Sequence, residues 1–90
     1  MSDRGIHLGY VKCDAESAIK GILVTWTNLP PKGWVDGKGE PRKQAYEGKS
    51  LWVPRGALHH DSDVFGPGGE GELIVHGWWA RTEGLEDQRP

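Results

Sequence analysis

Residues 18–27, Ala-Ile-Lys-Gly-Ile-Leu-Val-Thr-Trp-Thr, constrain the fold more than any other stretch of this chain. β-Branched and aromatic side chains dominate, as a pleated strand favours. Period-two alternation puts Ile22, Val24 and Trp26 on one face and Ile19, Leu23 and Thr25 on the other. Both faces are apolar, so the strand belongs at the centre of a sheet. A flat sheet covered on one side only would leave too much apolar surface in water. Curling into a small barrel, or pairing with a second copy, would bury it.

Weaker strands flank this one. Over Gly5–Cys13, Ile6, Leu8 and Tyr10 alternate with His7, Gly9 and Val11, and Asp14–Ser17 reads as a polar turn. Lys49–Val53 is a third strand, with Leu51 and Val53 on one face and Trp52 on the other. Pro54 lacks the amide hydrogen a ladder needs and ends it or holds it at an edge. Asp61 and Ser62 are turn formers, and Val64-Phe65 is expected to tuck under the sheet. After the loop Gly66–Gly71, Glu72–His76 makes a fourth strand. Residues 78–83 suit one helical turn closed by Gly84 in a left-handed conformation, with Leu85 folding back and residues 86–90 frayed. The expected fold is mainly β: one domain over residues 1–90, a small four-stranded antiparallel sheet or barrel, ordered as a meander, with a short C-terminal helical turn.

Residues 28–47 interrupt this pattern. Three Pro and three Gly exclude a regular helix or long strand, and Asp36-Gly37 signals a tight hairpin after Trp34-Val35. A loop of about 20 residues in a compact domain is functional or disordered as a rule. This one carries Trp34, Tyr46 and four basic residues, and reads as an inserted, mobile binding arm.

Composition narrows the function classes. Fourteen Gly and six Pro approach a disordered composition, but five Trp argue for a packed core. So small a domain buries a modest fraction of its surface, which makes self-association a reasonable expectation. Net charge is −2, against general nucleic-acid binding, but the charge is polarised. Residues 32–60 hold six basic and three acidic side chains; residues 61–90 hold two basic and seven acidic. Such asymmetry suits an oriented contact with a charged partner, or simply an uneven solvated surface. Cys13 is the only cysteine, so no internal disulfide or Cys-rich zinc site can form. No apolar run is long enough to cross a bilayer, and no signal-peptide core is visible. The expectation is a cytoplasmic protein with no membrane partner.

Catalytic and metal motifs are weak. His59-His60-Asp61 with Asp63 raises zinc, but adjacent histidines do not easily converge and His7 and His76 lie in strands, so no metal or other cofactor is expected. Gly66–Gly71 lacks the Gly-Lys-Ser/Thr of a phosphate loop. No serine or cysteine sits in a nucleophile motif, and no enzyme activity is expected. The best signal is aromatic residues with basic neighbours: Trp52 with Arg55, and Trp34 and Tyr46 with Arg42 and Lys43. These suit either an aromatic anchor with a charged rim on a protein partner, or stacking on nucleic-acid bases. His59 and His60 are further polar contact candidates, and His76, Trp78 and Arg81 are candidates to line the same end of the sheet. Trp26 and Trp79 read as core. Trp52 serves the scaffold as well as any contact, which leaves Arg55 as the exposed tip.

Several of these segments together resemble a group of small β proteins of phages and mobile elements. The likeness rests on residues 19–24, Leu51-Trp-Val-Pro-Arg55 with Leu58, Asp61-Ser-Asp-Val64, and residues 73–80 with Gly84-Leu85. It covers roughly residues 6–29 and 48–85; this chain departs by its insertion at 28–47 and by Gly56 where the group commonly has Ser. The resemblance implies a compact β architecture and a phage accessory role, including inhibition of a host defence in the manner of an anti-CRISPR. The leading expectation is a non-enzymatic protein that binds a protein or nucleoprotein complex. The alternative is a small-barrel binder of single-stranded nucleic acid or a nucleotide. An oligomeric scaffold is the third class.

Overall fold

A computed structural model describes residues 5–89. Four antiparallel strands form one sheet: β1 (Gly5–Ser17), β2 (Gly21–Trp26), β3 (Ser50–Val53) and β4 (Glu70–His76), followed by helix α1 (Gly77–Glu83). The spatial order is β3-β2-β1-β4, which is a Greek-key order rather than the expected meander. The thirteen residues of β1 explain the difference. Its second half pairs with β2 (Val11 opposite Trp26, Ser17 opposite Gly21), while its first half pairs with β4 (Gly5 opposite His76, Lys12 opposite Glu70). The sheet does not close into a barrel. Short contacts instead cover the outer edge of β4: Leu58 bridges Val75, and the Asp63 amide donates to the Glu72 carbonyl at 3.0 Å.

Two irregularities reset the faces of β1. Register shifts occur between His7 and Gly9 and between Cys13 and Ala15. The first breaks the expected Ile6–Leu8–Tyr10 face: Leu8, Val11 and Cys13 point to the core, while Tyr10 and Lys12 turn outward. The second absorbs Asp14, so the expected turn at 14–17 is strand and the hairpin turn falls at 18–20. There the Ser17 hydroxyl accepts the Ile19 and Lys20 amides at 3.2 Å. Ile19 is therefore a turn residue, 94% exposed, and not part of β2.

One face of the sheet carries the core. Leu8, Val11, Ile22, Val24, Val53, Leu73 and Val75 pack beneath Trp79 and Ala80 of α1 and beneath Ala57, Leu58 and Val64 of the β3–β4 connection. Each such aliphatic side chain contributes about 1.5–3 kcal/mol on burial. Val64 is fully buried as expected, but Phe65 stays half exposed. β3 is an edge strand ending at Pro54, and its Trp52 lies opposite Leu23 on the far face with Lys20 Nζ 5.5 Å from its ring. On that face Leu23 and Thr25 remain half-buried.

Helix α1 stops as expected. Gly84 adopts φ 72°, its amide bonds back to the Arg81 carbonyl, and the Leu85 amide bonds to the Ala80 carbonyl at 2.8 Å. The segment that follows is docked rather than frayed. The Gln88 amide donates to the His7 carbonyl at 2.8 Å, and the His7 amide donates to Asp87 Oδ2 at 3.4 Å; Pro90 lies outside the described residues. Burial alone would raise the Asp87 carboxyl. Hydrogen bonds from the Arg89 side chain and from the Arg89 and His7 amides outweigh that and hold it below its ordinary value. A depressed carboxyl stabilises the folded form above its unfolded pKa, and that contribution disappears as pH falls through the folded value. Acidification below about pH 4 should therefore release the tail, read as loss of Gln88 amide protection. Asp87→Asn should remove the pH step.

Candidate partner-binding surface

Residues 28–47 are fastened to the sheet, contrary to the mobile arm expected. Gln44 is 7% exposed and inserts its amide between strands. Its Oε1 accepts the Tyr10 amide at 2.8 Å, and its Nε2 donates to the carbonyls of Tyr10 (3.1 Å) and Thr27 (2.9 Å). Gly9 makes room: it sits at φ 120°, and a Cβ there would lie 2.2 Å from Gln44 Oε1. The arm's two ends are held as well. Tyr46 packs edge-on against Trp26 at 5.4 Å, the Gly48 amide donates to the Trp26 carbonyl, and Pro31 is buried.

The middle of the arm is a small hairpin. Val35 bridges Pro41, and the Asp36 amide donates to the Glu40 carbonyl at 2.8 Å. Its turn is not the tight two-residue form that Asp-Gly signals, since neither Asp36 nor Gly37 has positive φ. Asp36 Oδ1 instead accepts the amides of Lys38 and Glu40, and Gly39 takes the left-handed position at φ 81°.

Fastening the arm walls off a groove of about 660 Å³ on the outer face of the sheet. Tyr10 and Lys12 of β1 and Thr25 of β2 line one side, and the chain from Asn28 to Pro30 lines the other. Thr27 joins the two, its hydroxyl donating to the Leu29 carbonyl at 2.9 Å. The charges are mixed. Lys12 and Lys32 have no ion-pair partner among the described residues. Asp14 accepts from the Thr25 hydroxyl (3.3 Å) and Glu70 from the Tyr10 hydroxyl (3.0 Å). The Glu70 hydrogen bond, with a smaller contribution from burial, pushes the Tyr10 phenol above its ordinary value. A groove of this size suits a short extended segment or a small polar ligand.

The residues singled out from sequence fall into four places. Trp34, Arg42 and Lys43 come together at a second notch of about 140 Å³, with the Arg42 guanidinium 5.7 Å from the Trp34 ring and bonded to the Gln88 carbonyl. Tyr46 is spent on Trp26, with Lys49 Nζ 5.6 Å from its ring. Trp52 lies on β3 under Lys20, while Arg55 is exposed as expected, paired with Glu16 and donating to the Phe65 carbonyl at 3.3 Å. His59 is buried and stacked on exposed His60 at 4.2 Å; His76 lies 5.2 Å from His59 and 6.4 Å from Trp78. None of the eight lines the large groove.

Sequence reading missed Gln44 and the groove itself. A single glutamine in a polar loop carries no signal, whereas outward Tyr10 and Lys12 were legible once the bulge at Gly9 was allowed for. Cys13 supplies no nucleophile. It is 3% exposed, and burial pushes its thiol above its ordinary value. Thiol reagents should label it only as fast as the domain opens, and raising denaturant toward the midpoint should accelerate labelling by orders of magnitude. Rapid labelling of the native protein would place Cys13 outside the core.

Among the described residues no helix is long and apolar enough to cross a membrane. No family model matches this chain, and no curated protein or solved structure matches it either.

Proposed function

We propose that this chain is a non-enzymatic binding protein that acts by occupying a surface on a protein or nucleoprotein partner. The observation that carries this reading is the fixed arm: Gln44 and Tyr46 hold it against the sheet, so the groove wall and the Trp34–Arg42 notch are presented ready-made. A pre-organised surface loses little conformational freedom on binding. The two lysines without acidic partners at the groove supply charge for orientation. In a phage or mobile-element setting, inside a host cytoplasm, such a surface serves an accessory role such as blocking a host defence complex.

The aromatic residues support a protein partner over a single strand of nucleic acid. Stacking platforms need successive exposed rings along one groove. Here Tyr46 is packed on Trp26, and Trp52 sits on the sheet edge apart from Trp34. The test uses immobilised wild-type chain and the pair Trp34→Ala and Lys12→Glu. Capture of a specific host complex by the wild type, lost in one or both variants at unchanged melting temperature, is the expected result. Capture undiminished in both removes this surface from the account. Tight binding of a short oligonucleotide that weakens steeply with salt would replace it with the nucleic-acid reading.

A further inference from the structure

We propose that His59, His60 and Asp61 form a binding site for a zinc-class divalent metal ion. One ligand atom from each of the three lies within 4.8 Å of the others. His60 Nε2 is 3.3 Å from Asp61 Oδ1, and His59 Nδ1 is 3.7 Å from Asp61 Oδ2. Zinc holds nitrogen and oxygen ligands at about 2.0–2.1 Å, so two ligands of a tetrahedral site stand about 3.3–3.4 Å apart. The two separations run to different Asp61 oxygens and the three donors are held only within 4.8 Å, so rotation of the exposed His60 and Asp61 side chains closes the set onto that spacing. The chain turns at His59–Ser62, where the Ser62 amide donates to the His59 carbonyl at 3.0 Å, and this brings the two adjacent imidazoles side by side, stacked 4.2 Å apart.

The backbone around the cluster is already fixed. The His59 amide donates to the Ile74 carbonyl and the Asp63 amide to the Glu72 carbonyl, each at 3.0 Å. Buried Ser62 donates its hydroxyl to the Val64 carbonyl at 3.2 Å and accepts the Ile74 amide at 3.3 Å. The Asp61 amide donates to His59 Nδ1 at 3.1 Å. A metal bound at His59 Nδ1 replaces that hydrogen bond. His60 and Asp61 are exposed and only need to rotate about their side-chain bonds. Two imidazoles and one carboxylate select zinc, nickel or copper over calcium or magnesium, which prefer all-oxygen sites. The fourth position faces water or a partner's side chain.

Calorimetric titration of the tag-free chain with zinc chloride, with magnesium chloride as control, tests this. The expected result is uptake of one zinc per chain and none of magnesium. His60→Ala and Asp61→Asn, both at exposed positions, should each weaken zinc affinity tenfold or more at unchanged circular dichroism. His7→Ala, which breaks the separate His7–Glu72 pair (2.6 Å), should leave the affinity as it is. Absence of zinc uptake overturns the proposal, as does uptake that survives both cluster variants or is lost with His7→Ala.

Discussion

Replacing Trp26 with alanine should remove about 4–8 kcal/mol, roughly half or more of this chain's stability. Trp26 is 3% exposed and packs both into the core and against Tyr46, and its indole Nε1 donates to the Leu8 carbonyl at 2.7 Å. Truncating a buried tryptophan costs about 3–5 kcal/mol. Leaving the Leu8 carbonyl without its donor adds about 1–3 kcal/mol. A chain of this length has about 5–13 kcal/mol in all. Trp26→Phe separates the two contributions: it keeps a ring beside Tyr46 and loses the hydrogen bond, for about 1–3 kcal/mol. Urea unfolding of the two variants checks the order. A Trp26→Ala protein within 1 kcal/mol of wild type, which would be about the scatter expected for a surface change, would mean that Trp26 is not the joint between arm and sheet.

Gln44→Ala should be the second largest effect, at about 2–3 kcal/mol, from a residue in a Pro/Gly-rich loop. The deficit arises mainly from the Tyr10 amide, which loses its acceptor. The Tyr10 carbonyl keeps a bond from the Thr27 amide at 3.1 Å, so the lost bonds do not count equally. Gln44→Glu sharpens the test. A carboxylate still accepts from Tyr10 but faces two carbonyls where the amide donated, which disfavours its charged form. Its pKa is then raised in the folded state, so the deficit should be greatest near neutral pH and shrink as pH falls. A stability of Gln44→Glu that does not change with pH would contradict this placement of the side chain.

What the sequence made legible was local. Ile22, Val24 and Trp26 share a face because one regular strand carries them, and Gly84-Leu85 closes α1 because a left-handed residue and its back-bond span only a few positions. The failures lie where distant segments decide. β4 pairs with β1 instead of β3 because the long first strand offers a free edge, which no turn signal announces. The phase of β1 changes at Gly9 because Gln44, thirty-five positions away, occupies the space a side chain would need. Arg55 is exposed beside Pro54 as its position implies, but its partner Glu16 on another strand is not announced by any local signal. The expected mobility of residues 28–47 followed from their composition; the fixed arm follows from one buried amide and one aromatic contact.

Native-state amide hydrogen exchange across the arm tests that fixed wall most directly. The Tyr10, Arg42 and Gly48 amides donate to Gln44, Trp34 and Trp26, respectively. All three should be protected well beyond an open chain in the wild type, and Tyr10 and Arg42 should lose protection in Gln44→Ala while the Val24 amide keeps most of its own. Exchange of Arg42 and Gly48 at open-chain rates in the wild type, with β2 still protected, would show a free arm and contradict the account.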